Sequence, residues 1–312
     1  MARPSYISNS SVNQVAQKAI VFLALSWIIS SSIYYGLNYM YMRSYGGNSG
    51  AQINHVIRTQ YDAYIFGASR ASHHYDPSII EGKLGLSCFN AGDDGKNATY
   101  QFGILQMLLK KHTPKLIIYE IGDLTPSLDG GTIDLYPYYY NDPDIRRILI
   151  VRDKWAKVKF TFPLYAYNRK IFNVSKGYLK SSPPFRTGYR PIPGVMHPGE
   201  VQRIAASAKS ISTSELVDSH AVSSLCSFAN ICRDRGIDLI FSYSPSYVPS
   251  KPIGMDVIHS IAMDYNIPVM LYGETPQFSY KPQLFKDAGH LNDNGAMLFT
   301  DVFADSLAVV LR

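Results

Sequence analysis

From Ala19 to Met42 the chain reads AIVFLALSWIISSSIYYGLNYMYM, 24 residues without a charge, with Lys18 just before and Arg43 just after. A helix rises about 1.5 Å per residue and needs roughly 20 apolar residues to cross the hydrocarbon layer, so this run is long enough to span. If it is retained as an anchor, whatever folds after Met42 folds beside a membrane. Trp27 and the tyrosines from Tyr34 onward give one end the aromatic character of a membrane–water boundary. A cleaved leader is the main competitor, disfavoured by the polar stretch that precedes the run and by the lack of a small-x-small site after it. A buried core helix is the other alternative, because four serines and Asn38 temper the apolarity. Charge does not orient the segment, since Arg3 and Lys18 on one side face Arg43 and Arg58 on the other.

The expected organisation is a tail over 1–18, the anchor over 19–42, a linker over 43–61 whose Tyr45 to Asn54 part is polar and rich in Gly, Ser and Asn, and an α/β domain over 62–312. Within that domain, short runs rich in Ile, Val, Leu, Phe and Tyr fall at 63–66, 86–89, 116–121, 237–243 and 267–272, each bounded by Gly, Pro, Asn or Asp. Runs of this kind suit strands buried on both faces, and helix-length segments separate them at 76–84, 99–112, 214–235 and 255–265. Asp76 is placed to cap one of these helices, with Pro77 at its first position. A last helix is expected from about Asn292 to Val310, with Ala296, Phe299, Phe303 and Leu307 on one face. Strands alternating with helices predict a doubly wound α/β sandwich on a five-stranded parallel sheet. Residues 123–213 break the alternation and exceed any ordinary connection, which predicts an inserted cap or lid carrying Tyr136, Tyr138, Tyr139, Tyr140, Trp155 and the proline clusters Pro183-Pro184 and Pro191 to Pro198.

The net charge of +6 is unevenly spread. Between Arg146 and Arg190 stand twelve Lys or Arg against one acid, Asp153, so the remaining 18 basic and 23 acidic residues leave the rest of the chain net acidic. A single-sign segment of that kind suggests an anionic contact, with phospholipid head groups, an acidic polysaccharide or a phosphate-bearing substrate, and a merely solvated basic loop is the alternative. The three cysteines, Cys88, Cys226 and Cys232, form no C-x-x-C pair, and the histidines lack metal-ligand spacing, so no metal or other cofactor is expected. The basic stretch has no helix-turn-helix or OB pattern, which argues against nucleic acid.

Three short blocks can carry chemistry. The first expected strand runs into Gly67-Ala68-Ser69-Arg70, placing a serine at the carboxyl end of a strand, where open α/β sheets gather their ligands. Near the other end, Asp287-Ala288-Gly289-His290-Leu291-Asn292 sets Asp and His three apart before the last helix, so the carboxylate can meet one ring nitrogen while the other faces a serine. After the second expected strand, Asn90-Ala91-Gly92-Asp93-Asp94-Gly95-Lys96-Asn97 can aim a glycine amide and an asparagine side chain at an oxyanion. Each has a bland reading alone: a turn or cap serine, a surface histidine, a glycine turn.

With these blocks in this order the chain resembles the SGNH (GDSL-like) hydrolase superfamily, over roughly 62–122 and 236–307, and is most similar to its membrane-anchored branch with a Gly-Ser-Ser-Arg first block. The resemblance implies a flavodoxin-like sheet with Ser69 as nucleophile, His290 as base and Asp287 as its orienter. It also implies an oxyanion hole from the Ser69 amide and Gly92, and a substrate-binding role for Arg70. One departure stands out. The superfamily's third block, Gly-x-Asn-Asp or Gly-x-Asn-Glu after strand three, is replaced here by Glu120-Ile121-Gly122-Asp123, and Asn97 is the candidate to supply the missing donor. What the resemblance implies for function is a serine esterase or O-acyltransferase, usually acetyl, acting on envelope polysaccharide at a bacterial cell membrane, single-pass, with the catalytic domain outside the cytoplasm. A lipid or small-ester hydrolase, and a catalytically silent glycan-binding or assembly subunit, are the alternatives.

Overall fold

The computed structural model describes residues 9–44, 49–126, 131–168, 170–179, 187–207 and 216–312. In chain order, helices α1 (Asn9–Met42) and α2 (Ser49–Arg58) precede β1 (Ala63–Phe66), α3 (Ser69–His74), α4 (Pro77–Leu84), β2 (Cys88–Asn90), α5 (Ala98–Leu109) and β3 (Leu116–Glu120). The insertion holds α6 (Pro143–Arg152), α7 (Ala156–Lys159), α8 (Ile171–Leu179) and α9 (Pro198–Ser207). Then come α10 (Ser219–Asp234), β4 (Asp238–Tyr243), α11 (Met255–Tyr265), β5 (Val269–Leu271) and α12 (Asp293–Val310). The five strands form one sheet in the order β2-β1-β3-β4-β5, every pair parallel. That order is the flavodoxin-like one, with its topological switch between β1 and β3.

Alternation along each strand builds two cores. Tyr64 and Phe66 of β1, Ile117 and Tyr119 of β3 and Phe241 of β4 pack against α5, α10 and α11. Ala63, Ile65, Ile118 and Ile240 point the other way, onto Ala71 of α3, Ile80 of α4 and the Phe299–Phe303 face of α12. The sheet is thus the middle of three layers, and its short strands read as apolar runs because neither face meets water. Local chemistry sets the boundaries. Asp76 caps α4 by accepting from the Ser78 amide, Pro77 opens it, and Gly85 closes it at φ 67°. Asn97, Asp218 and Asn292 cap α5, α10 and α12 in the same way.

Three expectations are revised. The stretch 43–61, expected as a linker, contains α2, whose Ile53 and Val56 are buried one turn apart. Its Asn54 donates from Nδ2 to the carbonyls of Tyr41 (2.7 Å) and Ser44 (3.2 Å), closing the end of α1. A Gly/Ser/Asn-rich composition hid that two-residue apolar face. The remainder of the linker at 45–48 lies outside the described residues, as do the tail residues 1–8.

The second revision concerns the anchor. α1 is one continuous helix, and the part 12–42 is long and apolar enough to cross a membrane. Its carboxyl half is not a free tether, however. Tyr34 packs on Tyr140 and Tyr167, and Tyr41 packs on Tyr138 and Tyr167. The Tyr167 hydroxyl donates to Asn38 Oδ1 (2.9 Å), and the Leu164 amide donates to Ser30 Oγ (3.0 Å). Two of the tyrosines that stood out in the insertion, Tyr138 and Tyr140, therefore join Tyr167 in an aromatic seam against α1, while Tyr136 and Tyr139 pack on Phe160.

Third, the insertion divides in two. Its first part, through α8, braces α1 and α5, and Asp134 ties it down through ion pairs to Lys96 and Lys170. Burial, with the like charge of Lys96 beside it, pushes the Lys170 ammonium down to about 8. A later passage approaches the carboxyl end of the sheet: the Asn90 amide donates to Thr187 O (2.8 Å), and the Arg190 amide to Ser72 O (2.9 Å). Pro183-Pro184 between them lies outside the described residues, as do Ser214 and the basic Arg169, Lys180 and Arg186. Tyr167→Ala is expected to destabilise the detergent-solubilised chain by about 3–5 kcal/mol in thermal unfolding, as for other large aromatic truncations. Tyr167→Phe, which keeps the ring and loses one hydrogen bond, should cost only about 1 kcal/mol. Equal, negligible losses for both would show that the seam does not hold α1.

Candidate active site

The site is built where β1 ends. Gly67 turns the chain at φ 143°, a conformation side chains avoid, and a Cβ there would lie 2.8 Å from Glu120 O and 2.8 Å from Ala71 Cβ. The turn delivers Ser69 to the first position of α3, a helix start that no side chain caps. From 221 residues away, the loop before α12 brings His290 to it, with His290 Nε2 2.8 Å from Ser69 Oγ. On the other side of the ring, His290 Nδ1 lies 2.9 Å from Asp287 Oδ1 and 3.0 Å from Oδ2. The Nδ1–H therefore donates to the carboxylate and Nε2 accepts the serine hydroxyl, the geometry a general base needs. Asp287 Oδ1 also accepts the amides of Gly289 and His290, both at 2.9 Å. Partial burial raises its carboxyl, but the bonds from the His290 ring and these amides outweigh it and hold the pKa below the ordinary carboxylate range. Ser69, Asp287 and His290 are thus brought together.

The loop is pinned at both ends. A bridge between Phe285 and Leu291 closes it, and the Lys286 amide donates to His290 O (2.8 Å). Asn292 then caps α12 through Gly295 N (2.9 Å) and ties back to Gln283 O (2.8 Å). The Leu291 amide, next to the base, donates to His74 Nε2 (2.9 Å).

The expected oxyanion donors fare differently. The Gly92 amide donates to Asn90 Oδ1 (3.0 Å) and is engaged within its own turn. Gly92 is required instead for packing, since a Cβ there would stand 2.6 Å from Ala71 Cβ and from the Ser72 amide. Asn97 spends its Oδ1 on the α5 cap (Tyr100 N, 3.1 Å), but its Nδ2 is buried and without a hydrogen-bond partner. Asn97 lines a cavity of about 40 Å³ together with Gly67, Ala68, Gln101 and Glu120, beside the turn that leads into Ser69. An unpaired donor in such a place is costly, and its persistence marks it as a functional candidate.

Arg70, expected to bind substrate, turns inward. Its Nε meets Glu120 Oε1 and Ser244 Oγ, both at 3.1 Å, its Nη2 donates to Ser244 O, and its guanidinium lies 3.9 Å from the Tyr243 ring centre. Glu120, almost wholly inaccessible, also accepts from the Tyr75 hydroxyl, the Ser244 amide and, at 2.7 Å, the Ser244 hydroxyl. Full burial pushes its carboxyl above the ordinary range, against the pull of Arg70. Ser244 Oγ in turn accepts from His74 Nδ1 (2.7 Å). Burial, then the neighbouring Arg70, His290 and His73, holds His74 well below the usual histidine value, so it stays neutral with its Nε2 free to accept Leu291.

Sequence reasoning missed this network. The signal available was a glutamate ending an otherwise apolar strand, LIIYE. His73 also borders the site. Its Nε2 faces Asp94 (3.1 Å), its Nδ1 faces Arg190 O (2.6 Å), and its ring stands edge-on to His290 with centres 5.8 Å apart.

Removing Arg70 would strand the Glu120 charge. Arg70→Met is expected to cost about 3–5 kcal/mol in chemical unfolding, the range for breaking a buried pair from one side. Adding Glu120→Gln should recover much of that loss. No recovery in the double variant would show that the ion pair is not what Arg70 supplies.

A scan of protein-family models finds no match, and no curated protein matches. Among solved structures, the chain is similar to the acetyl xylan esterase AlAXEase, with TM-score 0.38 and 10% identity over 80% of this chain and 100% of that one. It is also similar to LAE5, an alpha/beta hydrolase enzyme from the metagenome of Lake Arreo, Spain, with TM-score 0.41 and 11% identity over 80% of this chain and 95% of that one. A third is BT4096, a gut microbial diltiazem-metabolizing enzyme, with TM-score 0.35 and 11% identity over 80% of this chain and 47% of that longer protein, about half its length.

Proposed function

We propose that the chain is a serine acyl enzyme of the SGNH type, an esterase or O-acyltransferase working through an acyl-Ser69 intermediate. The observation that carries this reading is the unbroken Ser69–His290–Asp287 chain of hydrogen bonds. His290 takes the Ser69 proton as Oγ attacks an ester carbonyl, and the tetrahedral intermediate collapses with the leaving alcohol accepting that proton. Water or a sugar hydroxyl, deprotonated in turn by His290, then resolves the acyl-enzyme. Asp287 keeps the ring in the tautomer this requires.

In this reading the oxyanion is held by the Ser69 amide and Asn97 Nδ2, the latter standing in for the third-block asparagine. The acceptor we favour is a cell-envelope glycan, acetylated at the membrane to which α1 holds the domain. A half-buried but solvent-reachable site, with the His290 side chain 29% and the Asp287 side chain 42% accessible, supports a bulky polymeric substrate. One observation favours a second reading: the Gly92 amide is already engaged. A hole short of that donor suits a catalytically silent glycan-binding subunit.

Fluorophosphonate labelling decides between the two. Labelling abolished by Ser69→Ala and lowered about 10⁴-fold by Asp287→Asn is expected of the enzyme. A folded wild-type chain that takes no label would overturn it. The donor assignment has its own test. Asn97→Asp keeps the Oδ1 cap on α5 and removes the Nδ2 donor, so kcat for p-nitrophenyl acetate should fall about 10²–10³-fold. An unchanged kcat in that variant would remove Asn97 from the mechanism.

A further inference from the structure

The depth of α1 in the bilayer is constrained by where the domain grips it. Upstream of Ala19 the helix carries Asn13, Gln14, Gln17 and Lys18, which do not belong in hydrocarbon. From Ala19 to Ile29 the eleven residues stand clear of the domain, but from Ser30 onward Ser30, Ser31, Tyr34, Leu37 and Tyr41 are buried against it. Eleven residues cover only about 16 Å, roughly half of the hydrocarbon thickness. A span that starts at Ala19 therefore reaches its far boundary near Asn38, well inside the docked part. Whatever packs at the Asn38 end of that run lies near the far boundary, and Tyr167 does so directly.

The outer face of the same part of the insertion has the matching chemistry. Trp155 (58% accessible), Val158, Phe162, Ile171 and Phe172 (88%) are exposed on and beside α7 and α8, while Val174 of α8 is buried beneath. The basic run that looked uniform is partly neutralised: among its described residues Arg147 pairs with Asp144, Arg152 with Asp218, Lys159 with Asp153, Lys170 with Asp134 and Arg190 with Asp93 and Asp94. Lys154, Lys157 and Lys176, all exposed, make no ion pair among the described residues, and they stand among these aromatic and aliphatic side chains. Apolar and aromatic residues rimmed by unpaired lysines are the composition of a membrane–water boundary facing anionic head groups.

We propose that the α7–α8 face of the insertion is seated in the head-group region of the membrane that α1 crosses, so that helix and insertion together form one two-point anchor holding the triad at a fixed height. The proposal rests on the reading of α1 as a span, and it adds the partner of the basic insertion: an anionic lipid surface.

The chain's two tryptophans report on the two points separately. The full-length protein is reconstituted in phosphatidylcholine vesicles containing phosphatidylglycerol, with lipids brominated either near the head group or deep in the acyl chain. In Trp27→Phe, the remaining Trp155 should lose roughly half its emission to the shallow bromines, as an interfacial aromatic would. In Trp155→Phe, the remaining Trp27, which a span beginning at Ala19 carries about 12 Å inward and so away from the boundary position its aromatic character suggested, should be quenched by the deep ones. Adding Lys154→Gln, Lys157→Gln and Lys176→Gln should weaken the Trp155 quenching and remove its dependence on phosphatidylglycerol. Trp27 quenched while Trp155 is untouched would overturn the proposal and leave the anchor standing. Trp155 unquenched by lipid but responsive to an acidic polysaccharide would assign the face to the glycan and likewise overturn it. Neither residue quenched would remove the span and the proposal together, while fluorophosphonate labelling of Ser69 would still judge the enzyme reading separately.

Discussion

A single buried carboxylate connects the two halves of the site. Glu120, at the end of the central strand β3, receives Arg70, the residue after Ser69, and the amide and hydroxyl of Ser244 from the end of β4. Ser244 holds His74, and His74 holds the Leu291 amide beside the base. Thus the serine, on the first turn after β1, and the histidine, on the loop before α12, are registered against the same group. An ion pair in so dry a place is weak as a source of stability, because desolvation offsets the attraction. Its geometric effect is larger: each partner is satisfied in only one arrangement, and that arrangement brings His290 within 2.8 Å of Ser69.

The same economy of space explains the glycines. Gly67 and Gly92 both lie where a methyl group would collide with α3 or with Glu120, so the nucleophile helix is pressed against β1, β2 and β3 at once. Close approach of this kind fixes the serine's position through packing, and it accounts for Gly92 better than an oxyanion role does, since its amide is directed to Asn90. Asn97, by contrast, has a side chain divided between capping α5 through Oδ1 and a buried Nδ2 left without a hydrogen-bond partner.

The insertion unites what looked like three separate features, a tyrosine cluster, a basic run and an apolar helix. Tyrosines Tyr138, Tyr140 and Tyr167 form a seam against α1, and acids from within and beyond the insertion, Asp144, Asp153, Asp218, Asp93 and Asp94, neutralise part of the basic charge. Charge counted along the chain overstated the field, because ion pairs form across space and the acids of Asp93, Asp94 and Asp218 lie far away in sequence.

The sequence by itself determined the α/β frame and singled out Ser69, Asp287 and His290, which the fold brings within hydrogen-bond distance of one another. Strands buried on both faces write themselves as short apolar runs, and the observed strands fall within those expected at 63–66, 116–121, 237–243 and 267–272, with the remaining one shifted by two residues at its start. The pairing of Asp287 with His290 was legible because three residues on one turn suffice to join them. Only the tertiary structure decided where Arg70 points, that Gly92 is engaged, that 49–58 is helical and that half of α1 belongs to the domain. Each of these depends on a partner distant in the chain: Glu120 lies 50 residues from Arg70, and Tyr167 lies 129 from Asn38. Local spacing records which groups share a turn, but a side chain's commitment is settled by whichever distant group the fold brings within bonding range.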